Sequence, residues 1–302
     1  MPILASLANA SINGYKSNAG PTAKFAAIAN SSTNAASSSD GMVWTARSLP
    51  SSSNWYGLAF TANIFATVSA NSTNAASSPD GITWTSRTLP SAVFWRAIAG
   101  GNNTFVTVAL FNADAASSTN GTTWTARSLP TSNNWQNVGY GNNLFVAVAG
   151  STSNAASSPD GITWTSRSMP ASSDWRTVAY GGGIWVALIN GSTDAASSTN
   201  GTTWTARTSS SAQSWRSVVY GNSTFVAVAQ GGTTSMTSTN GTSWTSRTII
   251  SASYFSVTFS PTVNLFVAVG STTVGATSPD GITWTSRTLP TSNDWYGVAV
   301  DS

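Results

Sequence analysis

The chain has 302 residues, 14 of them Trp, with no Cys, no His, only 7% charged side chains and a formal net charge of +3. Without Cys there is no disulfide framework or thiolate metal site; without His the commonest catalytic base and zinc ligand are missing; and so small and scattered a charge is no nucleic-acid footprint. Met1–Ala8 is apolar but short, with no basic start, and no apolar run is long enough to cross a membrane as a helix, so neither a signal peptide nor membrane insertion is expected.

Residues 1–23 lack the apolar alternation of the rest and are expected to form an N-terminal arm, with a frayed terminus as the alternative. From Lys24 a 40-residue repeat takes over and runs through residues 24–302 as one domain. Its most constant feature is a Trp at 44, 84, 124, 164, 204, 244 and 284, preceded by a Gly and followed three residues later by an Arg, from Arg47 to Arg287. Aromatics at fixed positions among Ser, Thr, Asn and Ala indicate a rigid β-protein and not a disordered polar chain.

One unit shows the pattern. Trp135–Tyr140 reads as a first strand and Leu144–Ala149 as a second, apolar on both faces and so expected to be covered on both sides. Ala155–Ser158 is a third strand of small residues, and Pro159-Asp160-Gly161 turns the chain into a fourth, Ile162–Arg167. Asp-Gly and Asn-Gly between alternating segments are strong hairpin signals because both residues tolerate positive φ. Seven such units imply a seven-bladed β-propeller with four antiparallel strands per blade; a β-solenoid is the alternative. Residues 295–300 form an extra first strand, and the unit over 24–47 has a poor one of its own. The C-terminal strand is therefore expected to complete the first blade and close the ring.

The turn Ser78-Pro79-Asp80-Gly81-Ile82-Thr83-Trp84 resembles the Asp-box of sialidase-type (BNR) propeller repeats, of the kind found in phage and bacterial surface proteins. It has one residue fewer between Asp and Gly than that pattern. Asp40, Asp80, Asp160 and Asp280 carry the acid, and Asn120, Asn200 and Asn240 replace it. The resemblance implies that these residues, with Trp44, Trp84, Trp124, Trp164, Trp204, Trp244 and Trp284, are folding elements on the face opposite the binding site. Enzymes, lectins and scaffolds share the motif, so it speaks to fold and not to function.

Catalysis is not expected. The chain has no Glu, which a sialidase-like nucleophile pair would need, and its Asp residues are spread over different units, whereas glycosidases pair two carboxyls within about 5–9 Å. No cofactor and no metal are expected. Trp55, Trp95, Trp135, Trp175, Trp215 and Trp295, with Phe255, are expected to pack between blades. The residue after each varies: Tyr56, Arg96, Gln136, Arg176, Arg216, Ser256 and Tyr296. Arg96, Arg176 and Arg216 near a central mouth would suit an anion, while Phe94, Trp95 and Phe111 break a polar loop pattern and are candidate contacts. Ile249, Ile250 and Tyr254 make a second apolar break. The expected role is a non-catalytic virion or surface adhesin, lectin-like, for a glycan or host-surface component. A ligand-free capsid or tail decoration held by other virion proteins is the alternative, and a glycoside hydrolase the least favoured reading.

Overall fold

The computed structural model describes residues 24–301, so the arm expected over 1–23 lies outside the described residues. Each repeat folds as an antiparallel ladder in the expected order. In the unit above, residues 134–141 pair with Leu144–Gly150, that strand with Thr152–Ser158, and that one with Thr165–Ser173. The same ladder recurs as Tyr254–Ser260, Leu265–Gly270, Val274–Ser278 and Thr285–Thr288. The fold is all-β and propeller-like.

The ladders are less separate than the repeat pattern suggested. Thr45–Thr61, Thr85–Gly101 and Thr125–Gly141 stay extended from the fourth strand of one unit into the first of the next. Each pairs backwards with one ladder and forwards with another, as Thr45–Thr61 does through Ser53↔Ser32 and Asn54↔Ala70. Hydrogen bonding consequently runs through a 12-stranded sheet, followed by a six-stranded and a four-stranded one. The linking segments remain extended because the loop between the second and third strands offers its backbone to them.

The core lies between successive ladders. One cluster joins Val106, Val108 and Ala115 to Trp135, Phe145 and Ala147 of the following unit. Second strands are buried on both faces, with Phe65, Phe105, Phe145, Trp185 and Phe225 at most 1% exposed. The Ala-Ala pairs of the third strands leave room for the turn Trp, which meets the second-strand Phe at a tilt or edge, as in Phe25–Trp44 at 6.3 Å and Phe105–Trp124 at 6.2 Å. Glycine is required where the first strand ends. A Cβ on Gly141, Gly181 or Gly221 would overlap the aromatic ring of Tyr180, Tyr220 or Phe259 on the next ladder.

The turns are closed by their own atoms. Asp160 Oδ1 accepts from the Ile162 and Thr163 amides at 2.8 and 3.0 Å, while Ser158 Oγ donates to Asp160 and accepts from the Gly161 amide. Asn120 and Asn200 accept the same two amide bonds at 2.9–3.0 Å. Gly161 holds φ +73° in that turn, a conformation that L side chains adopt only at a cost. The arginines after the turn Trp bond across the hairpin: Arg47 Nε donates to Ser37 Oγ at 2.8 Å, and Arg87, Arg127, Arg167, Arg207, Arg247 and Arg287 repeat the contact.

Candidate functional site

The six inner Trp residues are core, as expected. Each is at most 1% exposed, and each indole N–H donates to the carbonyl four residues earlier, as Trp95 does to Ser91 at 2.9 Å. That bond fixes the loop entering the first strand. Trp95 faces the inter-ladder core, which leaves it as a support behind the site and not a surface for ligand.

Directly after each inner Trp the pairing register slips. Trp95 pairs with Ala109 and Ala97 with Val108, so Arg96 has no partner of its own. Tyr56, Gln136, Arg176, Arg216 and Tyr296 are skipped in the same way. These are β-bulges, which insert one unpaired residue and re-aim its side chain. The variable positions are variable because the ladder does not use them.

One repeat departs from the expected register. Tyr254, not Phe255, takes the Trp position, fully buried and paired with Gly270; Phe255 is the bulge residue, and Ser256 pairs with Val269. The spacing of 40 hides this, because a segment one residue short before Tyr254 and a loop one residue short between the second and third strands together offset a turn at 261–264 that is two residues longer than in the other repeats. Neither Tyr254 nor Ile249 forms an exposed break. Ile249 is 3% exposed, in the place that Leu49 and Leu89 hold elsewhere.

The bulge residues converge on one cavity of ≈ 110 Å³, lined among others by Tyr56, Arg96, Gln136, Arg176, Phe255 and Tyr296, with Arg216 beside them. Its walls are chemically divided. On one side Arg96 Nε donates to Gln136 Oε1 at 3.3 Å and Arg176 Nη1 to the same oxygen at 3.0 Å. Arg216 Nε donates to Gln230 Oε1 at 2.8 Å, and its Nη2 reaches the same oxygen. Arg176 also pairs with Asp174 at 3.0 Å, the only salt bridge among the described residues. On the other side Phe255 and Tyr296 stack with centroids 4.3 Å apart, and Tyr56 meets Tyr296 edge-on at 4.8 Å. Arg96 lies 4.9 Å over the Tyr56 ring, joining the two walls.

Loss of water and the nearby charges of Arg216 and Arg176 hold the Arg96 guanidinium down to about 10, and burial and Arg176 push Arg216 in the same direction. Both remain cations at neutral pH. Burial first, then Tyr56 and Asp294, push the Tyr296 hydroxyl up, so it stays neutral there.

The next position on each strand ties the ladders together. Asn137, Thr177, Ser217 and Ser256 each accept, through a side-chain oxygen, the amide of a Val on the following ladder: Val178, Val218, Val257 and Val298, at 3.2–3.3 Å. The corresponding Gly57, Ala97 and Gly297 have no such oxygen. A Cβ on Gly57 would come within 2.9 Å of Ile98 Cγ2, so the ladders there pack backbone to side chain. From the cavity an aromatic series leads outward: Tyr56 to Phe94 at 5.1 Å, and Phe94 to Phe111 at 6.2 Å. Phe111 is 70% exposed, with φ +67°.

The fold and this mouth place the chain among propeller-like proteins. No protein-family profile and no curated protein matches its sequence. Among solved structures it is similar to YCF48 bound to a D1 peptide, with TM-score 0.59 and 16% identity over 79% of this chain and 83% of that one. It is also similar to an inactive virginiamycin B lyase from Staphylococcus aureus with quinupristin, with TM-score 0.68 and 11% identity over 78% and 84%. A 6-phosphogluconolactonase candidate from Bacteroides fragilis aligns with TM-score 0.73 and 9% identity over 95% and 99%. At such identities the likeness is one of fold, and neither lyase nor lactonase activity passes to this chain with it.

Proposed function

We propose that this chain is a seven-bladed propeller of Asp-box type that acts without catalysis as an attachment module on a virion or cell surface. Its mouth, opposite the Asp/Asn–Gly turns, takes a carbohydrate-like target. The ring is closed by residues 295–300. Support for closure comes from the pairing of Trp295–Val300 with Phe25–Ala29, and from a core cluster joining Phe25 and Trp295 to Val267. The Asp301 and Lys24 backbones meet at 3.0 Å.

The observation that carries the functional reading is the concentration of sequence variation in the bulge residues at one mouth, while the turns stay nearly invariant from repeat to repeat. Residues that differ where packing makes no demand are placed for recognition. The reading without catalysis draws on the carboxylates: Asp174 is the one bonded to a mouth side chain among the described residues, and it is shared by Arg176 and Asn190. A hydrolase of glycosides would need a second carboxyl facing it.

Phe111 favours a second reading, a decoration or scaffold protein held by other virion proteins, since so exposed a ring at the end of an aromatic series suits a protein contact. A glycan array probed with the protein free and then multivalently displayed separates the two. The attachment reading expects weak single-site binding that rises by about 10²–10⁴ on display. Binding to no glycan in either format overturns it in favour of the scaffold.

A further inference from the structure

Three guanidiniums meet at one cavity, and only Arg176 is in salt-bridge contact with a carboxylate among the described residues. Arg96 and Arg216 are oriented by the amide oxygens of Gln136 and Gln230, neutral acceptors that fix a guanidinium without cancelling its charge. Gathering like charges around a space partly removed from water is unfavourable in the free protein. An anion between them relieves that repulsion and collects charge-assisted hydrogen bonds from planar forks already held in position.

The opposite wall is aromatic and asks for more than a bare inorganic ion. Phe255 and Tyr296 stack on each other and Tyr56 meets Tyr296 edge-on, so the rings offer edges and one outer face to a ligand, and Leu58 and Ile98 also line the cavity. A volume of ≈ 110 Å³ is room for several waters, so a single ring acid fits with its acid group inside and part of its ring at the mouth, and a run of sugar units does not fit within.

We propose that the cavity binds a cyclic organic acid, a single ring bearing one carboxylate, sulfate or phosphate group. The acid sits among Arg96, Arg176 and Arg216, and the ring meets the aromatic wall of Tyr56, Tyr296 and Phe255. The inference rests on the reading of this mouth as the binding face, and it narrows a carbohydrate-like target to an acidic one or to an aryl acid of the same shape.

The test is calorimetric titration of the full chain at constant ionic strength. Glucuronate and benzoate serve as ring acids, glucose and benzyl alcohol as their neutral counterparts, and sulfate as an anion without a ring. One ring acid is expected to bind at least about tenfold more tightly than its neutral counterpart and than sulfate. A preference for glucuronate points to a sugar acid, and a preference for benzoate to an aryl acid. Arg216→Gln and Arg96→Gln should each lose about tenfold in affinity for that acid, and Tyr296→Leu should weaken the acid while sparing sulfate. The arginine variants should melt no lower than the parent, since each removes repulsion. Ring acids binding no better than sulfate or than their neutral counterparts overturn the proposal, as does full affinity in a folded Arg216→Gln. Glycan attachment that persists without acid binding sinks this inference alone; acid binding without glycan attachment sinks the attachment reading alone.

Discussion

The Asp/Asn–Gly turns and the bulges at the mouth belong to the same repeats, yet they have been treated oppositely. At a turn the bonds that close the chain are local: Ser158 Oγ, Asp160 Oδ1 and the amides of residues 161–163 satisfy one another within the hairpin. A closed local solution can be copied from unit to unit, and it was. At the mouth the ladder skips one residue per repeat, and its side chain finds partners only on neighbouring ladders. Arg96 and Arg176 depend on Gln136, 40 residues from each. Such positions answer to the neighbouring ladders, not to the repeat. Sameness goes with local closure here, and difference with contacts between ladders.

Experiments can break that comparison, beginning with the core both regions share. Deleting residues 294–302 removes Trp295–Val300 from Phe25–Ala29 and exposes the cluster around Phe25 and Val267. The shortened chain should lose its cooperative melting transition; a transition at the parental temperature would contradict closure of the ring. Next, Trp135→Ala empties a fully buried site and should cost about 3–5 kcal/mol in urea unfolding, as large-to-small core changes do.

At the turn, Ser158→Ala removes a hydroxyl that both donates to Asp160 and accepts from Gly161, so a loss of about 1–2 kcal/mol is expected. Asp160→Asn should change stability at neutral pH by no more than about 0.5 kcal/mol, because Asn120 and Asn200 already make the same amide bonds. The charge is felt in acid. The Ile162 and Thr163 amides hold the Asp160 carboxyl below the usual carboxylate range. At Asp40, Asp80 and Asp280 partial burial pushes upward, but the corresponding amide and Ser bonds overcome it and leave each lowered. A depressed folded value stabilises above the unfolded pKa and is lost as pH falls through the folded one. The parent's melting temperature should therefore drop more steeply below about pH 4 than that of a variant with Asn at all four positions. Parallel acid limbs would show that the turns gain nothing from ionisation.

The smallest effect belongs to the mouth. Arg176→Gln or Phe255→Ser should leave urea midpoints nearly unmoved, since bulge residues carry no ladder pairing. A loss comparable to Trp135→Ala would make the mouth part of the core and abolish the contrast.

Local physics carried the sequence reading a long way. Asp-Gly and Asn-Gly announce hairpins wherever they fall between alternating strands, a fixed spacing of Trp announces stacked units, and Ala-Ala in the third strand announces a large ring lying across it. These rest on contacts within a repeat or with its neighbour, so their pattern is written at short range. The variable residue after each inner Trp is legible in the repeat alignment too, Arg96, Arg176 and Arg216 among them.

What the tertiary structure alone decided is where those residues point. A bulge leaves no composition mark, so nothing in Trp95-Arg96-Ala97 says that Arg96 is skipped by the ladder and aimed at a shared cavity. Nor could spacing reveal that Tyr254 replaces a Trp and moves Phe255 to the mouth, because three length changes cancel and preserve the period. The joining of Arg96, Arg176 and Arg216 to a wall of Tyr56, Tyr296 and Phe255 brings together residues from six repeats. Pairing and periodicity are properties of neighbouring segments and can be read along the chain; a site assembled from one residue per ladder exists only once the ladders have been arranged around a common space.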